Sequence, residues 1–309
     1  MLTKAIYAPP YAAEKGAVLA GAVDLPFIPL EHHRFPDGEI RVRAYPPAAA
    51  AVLFAPLHRP DDKLAALLFA AAALRDQGSR HITLIAPYLC YMRQDTAFRE
   101  GEAVSQRVIG KILAESFDHI IAVEPHLHRT ASLGAVFPGI HATAVAGAPA
   151  LIDLLRRETV ADSTLLVGPD SEARPWVEAV AGPLGLDCLT ADKTRHGDLS
   201  VQITLPQNAV IRGRRVILVD DMVSTGGTLA RTATLLRSAG ASGVEAVVVH
   251  ALCSDSDMAR LRDAGIDRLR SCDTVPHSSN AASIIPVLAD VLCKTGANDQ
   301  TGGEDDRDR

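Results

Sequence analysis

Short apolar runs recur along this chain, each followed by a stretch where apolar residues return every three or four positions. The runs suit strands and the stretches suit helices, so the pattern predicts an α/β chain. In the first half, strands are expected at residues 4–8, 26–30, 51–56, 81–86 and 118–123. In the second half they are expected at 164–168, 188–191, 200–205, 216–219, 244–252 and 268–272. Residues 40–45 alternate apolar and polar, as a half-exposed strand would. Helices are expected up to about Leu19 and over 61–77, 104–115, 150–158, 176–184, 229–238, 255–264 and 281–293. Residues 140–149, rich in Ala and Gly, read as the crossing between two halves, and residues 192–198 read as a charged loop. The halves look like one plan used twice, with strand 81–86 and helix 104–115 corresponding to strand 216–219 and helix 229–238.

At 309 residues the chain is long for one core. Two α/β domains are expected, over 1–146 and 147–294, with a polar, acidic, disordered tail at 295–309. Charged residues make up 22% and hydrophobic ones 48%, as in ordinary soluble proteins. A net charge of −6 argues against bulk nucleic-acid binding. The five cysteines are scattered with no Cys-x-x-Cys pair, so no disulfide frame or zinc site is indicated. No apolar run reaches membrane-spanning length and no secretory signal pattern opens the chain, so a reducing cytoplasm is the expected compartment.

The chemistry concentrates at residues 215–228. A near-continuous apolar run, suited to a strand buried on both faces, ends in Asp220 and Asp221. Ser224, Thr225, Gly226, Gly227 and Thr228 follow, and then a helix. The carboxylates can accept hydrogen bonds from vicinal ribose hydroxyls, and the loop can wrap a phosphate at a helix N-terminus. The plainer reading is an acidic turn with a helix cap. Three other segments stand out. Phe35, Asp37 and Glu39 sit on a tight turn that is either an ordinary hairpin turn or a stacking face for a base beside two acceptors. The polar stretch 87–102, with Arg93 and Gln94, is unusually long for a compact domain. His126-x-His128 could be a metal pair or two polar loop histidines, but no third nitrogen or sulfur ligand lies nearby for zinc. No Walker loop is present.

The stretch 215–228 resembles the phosphoribosyl pyrophosphate (PRPP) motif shared by phosphoribosyltransferases and PRPP synthetases. Segments 35–40, 87–95 with Gly101-Glu102, Pro169-Asp170 and Lys193-x-Arg195 add to it in family order, so residues 1–294 resemble a ribose-phosphate diphosphokinase, or PRPP synthetase. The resemblance implies two phosphoribosyltransferase-like α/β domains with mainly parallel sheets, related by a pseudo-twofold. It implies transfer of the diphosphoryl group of ATP to the C1 hydroxyl of ribose 5-phosphate, with Mg2+. Phe35 would stack on adenine, with Asp37 and Glu39 beside it, and this turn would reach a neighbouring subunit's ATP in a homo-oligomer of at least two chains. Arg93 and Gln94 would hold ATP. His126 and Asp170 match metal-side residues, Asp220 and Asp221 the ribose acceptors, and Ser224, Thr225, Gly226, Gly227 and Thr228 the 5-phosphate loop. Lys193 and Arg195 match a catalytic pair that closes over the diphosphate. The pattern departs at Glu124-Pro125-His126 and in the seven residues after it, so phosphate activation, ADP inhibition and a hexamer are not implied. Two other readings remain open: a phosphoribosyltransferase that consumes PRPP, and a synthetase-associated regulatory protein without activity.

Overall fold

The computed structural model describes residues 1–158, 160–196, 200–206 and 209–298, with side chains described except over 193–202 and 296–298. The chain divides into two compact units, Met1–Val145 with the segment from Ile285, and Ala146–Ile284.

The first unit contains strands β1 (Leu2–Ala8) and β2 (Phe27–Pro29), then an antiparallel ribbon of β3 (Glu31–Arg34) and β4 (Ile40–Arg43). Strands β5 (Ala48–Phe54), β6 (His81–Ala86), β7 (His119–Val123) and β8 (His141–Val145) follow. The main sheet runs β2-β1-β5-β6-β7-β8, every pair parallel. Its central strands are buried along nearly their whole length, and mostly apolar, because helices cover both faces of a parallel sheet. Those helices include α1 (Ala13–Ala22), α2 (Asp61–Asp76), α3 (Ser105–Ser116) and the short α4 (Leu133–Val136). In α2, Asp61 and Asp62 lie in the first turn and Arg75 in the last, which suits the helix dipole.

The second unit repeats this order. Helix α5 (Ala148–Arg157) leads to β9 (Leu165–Gly168), α6 (Arg174–Leu184) and β10 (Asp187–Thr190), then a ribbon of β11 (Asp192–His196) and β12 (Ser200–Thr204). Next come β13 (Arg215–Val223), α7 (Gly227–Ser238), β14 (Gly243–Ala251), α8 (Asp255–Asp263), β15 (Arg268–Cys272) and β16 (Asn280–Ala282). The parallel sheet runs β10-β9-β13-β14-β15-β16. From β9 the chain goes first to one side, to β10, and then to the other, to β13. That reversal of direction is where open α/β sheets bind ligands, outside the carboxyl ends of the strands.

Several expectations are corrected. Residues 192–196 are a strand, because they pair with 200–204 in a ribbon. Residues 141–145 are edge strand β8, hydrogen-bonded to β7, and 280–282 are edge strand β16 rather than the start of a helix. The last helix, α9 (Ile285–Asn298), belongs to the first unit, where it packs on α1 and β8. It extends helical structure to 298, past the expected start of a tail at 295. The remaining tail residues, 299–309, lie outside the described residues. The internal correspondence also shifts by one strand. Sheet order matches β5 and α2 with β13 and α7, whereas the apolar pattern had matched β6 and α3 with them.

Candidate functional site

In the second unit, β13 places Asp220 and Asp221 at its carboxyl end beside β9 and β14. Asp221 is 4% exposed, and the Met222 amide donates to its Oδ1 at 2.7 Å. The Asp221 amide donates to Asp220 Oδ1 at 3.0 Å. The Asp220 carboxyl is pushed well above the ordinary carboxylate range, first by burial and then by the charges of Asp221 and Asp170. Asp170 stands just past the end of β9, nearly buried, accepting from the Glu172 amide at 3.1 Å. Three carboxylates therefore crowd the end of two neighbouring strands. Two kinds of partner relieve such crowding: hydroxyl donors and a cation.

The loop after β13 is short and fixed at both ends. The Leu252 amide donates to the Val223 carbonyl at 2.8 Å. Gly226 caps α7 in the left-handed region (φ +73°), and a Cβ there would stand 2.8 Å from Leu261 Cδ2. Only glycine meets both conditions. It offers no capping side chain, so the first amides of α7 are left to an incoming acceptor at the positive end of the helix. Ser224 and Thr225 lie beside them in sequence, and Thr225 and Gly227 are exposed. Such an arrangement can take an anion next to an acidic pair.

Lys193 and Arg195 lie on β11, opposite Ile203 and Val201 of β12. Their side chains lie outside the described residues.

In the first unit, Phe35, Asp37 and Glu39 sit on the turn joining β3 and β4. The turn closes through Phe35 N to Glu39 O at 2.8 Å and Glu39 N to Asp37 Oδ1 at 3.0 Å. Phe35 is 39% exposed and meets the His33 ring edge-on at 4.7 Å. The hairpin is thus well formed and presents an aromatic face. Beside it is an open groove of about 440 Å³ lined by Arg34, Gly38, Glu39, Ile40, Asp61 and Asp62, among others. Its acidic walls suit a neutral base or sugar better than a phosphate.

Arg93 is exposed on the loop after β6. Gln94 donates to Thr96 O and to Glu102 Oε2, both at 3.3 Å. Three anchors of this loop were not singled out from the sequence. Tyr91 adopts a left-handed backbone (φ +61°), and its hydroxyl donates to Asp61 at 2.5 Å. Arg129 pairs with the almost buried Asp95 at 3.1 Å and lies over the Phe98 ring. No local pattern signals them, since each joins residues about 30 or more positions apart. After β7, Glu124 is left-handed (φ +39°), and His126 Nδ1 lies 3.1 Å from His128 Nε2.

Residues 146–284 match the phosphoribosyl transferase domain family, and residues 12–116 match the N-terminal domain of ribose phosphate pyrophosphokinase. The ribose-phosphate pyrophosphokinase of Methanopyrus kandleri is 32% identical over 279 residues, covering 90% of this chain and 94% of that one. The Thermococcus kodakarensis enzyme of the same name is 33% identical over 261 residues, covering 84% and 90%. Among solved structures, the phosphoribosylpyrophosphate synthetase of Mycobacterium smegmatis superposes with a TM-score of 0.81 at 25% identity, covering 96% and 99% of the two chains.

Proposed function

This chain belongs to the ribose-phosphate pyrophosphokinase family and transfers the diphosphoryl group of ATP to the C1 hydroxyl of ribose 5-phosphate, and we propose how its residues divide that reaction. The observation that carries the reading is the acidic pair at the end of β13, directly ahead of an uncapped, glycine-opened helix. Asp220 and Asp221 accept from the ribose hydroxyls. The amides and hydroxyls of Ser224, Thr225, Gly226, Gly227 and Thr228 hold the 5-phosphate. A simple phosphoribosyltransferase could use this half as well, but it has no use for the first unit, whose residues 12–116 match the pyrophosphokinase N-terminal domain.

We assign the nucleotide to that first unit. Phe35 stacks on the adenine, Asp37 and Glu39 accept from its edge and ribose, and Arg93 and Gln94 hold the phosphates. The C1 hydroxyl attacks the β-phosphorus, the bond to the α-phosphate oxygen breaks, and AMP leaves. Charge grows on bridging and equatorial oxygens, so the protein's task is positioning and neutralisation. Lys193 and Arg195 supply fixed positive charge for this from a two-stranded ribbon. A divalent cation suits the crowded carboxylates of the second unit and the imidazoles of the first. Asp170 in the second unit and, separately, His126 in the first would each serve as a Mg2+ ligand, and Mg2+ would supply charge neutralisation on the transferring group.

No helix among the described residues is long and apolar enough to cross a membrane. We place the enzyme in the cytoplasm, as a homo-oligomer of at least two chains in which the β3–β4 turn reaches a neighbour's nucleotide. The test is AMP release from ATP, measured with and without ribose 5-phosphate. Release that depends on the sugar phosphate is expected. Release that ignores it, or none with any divalent ion, would remove the assignment.

A further inference from the structure

Helix α8 starts just past the end of β14 and sets two adjacent side chains against the loop that follows β13. Ser254 caps it, its hydroxyl accepting from the Asp257 amide at 3.3 Å while its own amide donates to Asp257 Oδ2 at 2.8 Å. These bonds, and then the Arg260 guanidinium, hold the Asp257 carboxyl down to about 2. Arg260, one turn on, pairs with Asp257 Oδ1. The Arg260 side chain is 63% exposed, so the pair adds little to stability, and its effect is to aim the guanidinium.

So aimed, Arg260 Nη2 donates to the Thr225 carbonyl at 3.4 Å, 35 positions away in sequence. Its neighbour Leu261 is buried against Gly226, at the place a Cβ would fill. Both contacts fall on one peptide unit. In a trans peptide the carbonyl of one residue and the amide of the next point in opposite directions. The Thr225 carbonyl faces Arg260, so the Gly226 N–H faces away from α8. Gly226 is buried, its carbonyl accepts from the Ala230 amide at 2.9 Å, and its N–H donates to no group among the described residues. A buried amide without an acceptor costs free energy, and an anion in the loop supplies one. Glycine by itself does not fix this orientation, because without a Cβ it tolerates the peptide turned either way. Turned over, the peptide would present a carbonyl to the phosphate and repel it.

We propose that Arg260 is a positioning residue for the sugar phosphate, holding the Thr225–Gly226 peptide with its amide turned toward the 5-phosphate. The inference rests on the assignment of loop 224–228 to that phosphate. Arg260 acts without adding net charge, since Asp257 balances it. A loop set in advance loses less freedom when the phosphate arrives.

Steady-state kinetics and amide NMR on the full chain test the clamp. Arg260→Ala is expected to raise the KM for ribose 5-phosphate about three- to tenfold, the order that one net hydrogen bond supplies, with kcat and the KM for ATP within about twofold of wild type. Arg260→Lys keeps a cation and a donor but not the fork that reaches two acceptors, and its KM should fall between the two. Labelling threonine carbonyls and glycine amides with paired NMR isotopes selects Thr-Gly peptides, which occur at 225–226, 295–296 and 301–302. The Gly226 signal is the one that Thr225→Ser removes. Ribose 5-phosphate is expected to move it downfield in wild type, and far less in Arg260→Ala at saturation. A wild-type KM for ribose 5-phosphate in Arg260→Ala would overturn the inference. So would an equal rise in both KM values with a lower melting temperature, the mark of a residue that only supports the fold. A raised KM with the Gly226 shift intact would overturn it too, because Arg260 would then act on the phosphate by its charge alone. A wild-type Gly226 amide that ignores ribose 5-phosphate would remove the loop assignment itself, and the inference with it.

Discussion

The two units share one strand order but end their equivalent strands in opposite chemistry. Ile6 pairs with Val52 two residues before β1 ends, and Leu166 pairs with Ile217 two residues before β9 ends. Counting on from these pairs sets Ala55 and Pro56 of the first unit at the places of Asp220 and Asp221. Ala55 and Pro56 are buried and carry no charge. Beyond them, the first unit fills its strand-to-helix loop with its own side chain. Lys63 donates to the His58 carbonyl at 2.5 Å, comes within 3.4 Å of the Pro56 carbonyl, and lies over the Tyr11 ring at 4.4 Å. The second unit keeps its loop short, glycine-opened and uncapped. One fold thus holds a self-satisfied switch point and a reactive one. What separates them is two carboxylates and a few loop residues, which is why function has to be argued from the site and not from the fold.

The ribbons differ in parallel: β3–β4 carries an aromatic and two acids on its turn, whereas β11–β12 carries Lys193 and Arg195 on a strand. Removing either cation should give the largest effect. Lys193→Ala or Arg195→Ala is expected to lower kcat about a hundredfold or more with a modest change in either KM, because charge that matters mainly in the transition state appears in kcat. Wild-type kcat in both variants would take this ribbon out of the mechanism.

Next in size is Asp220→Asn. Losing a charged acceptor costs about 1.5–3 kcal/mol, so ribose 5-phosphate use should fall some 10- to 150-fold while ATP binding is retained. The same change should stabilise the unliganded chain. A carboxyl whose folded pKa is raised binds more protons folded than unfolded, so its contribution to stability declines as pH rises from about 4 through the folded pKa. At neutral pH that cost is present, and the amide removes it. A lower melting temperature for Asp220→Asn, with unchanged sugar-phosphate kinetics, would make the residue structural.

The first unit offers a smaller contrast. Phe35→Ala should raise the KM for ATP roughly tenfold, as loss of about 1–2 kcal/mol of base stacking would. If nucleotide affinity holds and the melting temperature falls, the turn serves only the hairpin.

Much of this was legible in the sequence, and unevenly. Strands such as β6, β7 and β13 are buried on both faces, and burial forces apolar runs that can be read directly. The ribbon β11–β12 was half missed: 200–205 read as a strand, but 192–196 read as a loop. All four residues of β3 are exposed, which shows why such ribbons resist reading: a strand with no core-facing side has no hydrophobic alternation. Edge strands β8 and β16 were missed because Ala, His and Asn interrupt the usual β-branched run. The return of α9 to the first unit depends on contacts nearly the whole chain apart, and no local pattern encodes them. The acidic pair and its loop stood out because the chemistry is contiguous there. The Tyr91–Asp61 and Arg129–Asp95 tethers did not, since each joins residues far apart in sequence.

The smallest predicted effect concerns the filled loop. The His58 imidazole is pushed down to about 4 by burial first and then by the charges of Lys63 and Arg59, and its buried Nδ1 has no hydrogen-bond partner among the described residues. A depressed histidine binds fewer protons folded than unfolded, so stability should be lost as pH falls from about 6.5 to 4. His58→Gln should flatten that part of a denaturation profile and leave activity near wild type. An unchanged slope would assign the loss to other groups.

A single sugar-phosphate site per chain is expected, at the end of β13. Calorimetric titration with ribose 5-phosphate measures it directly, on wild type and on the Asp220→Asn, Asp221→Asn double variant. One equivalent bound per chain is expected in wild type and none detectable in the double variant. Two equivalents in wild type, or one that survives the double substitution, would contradict it.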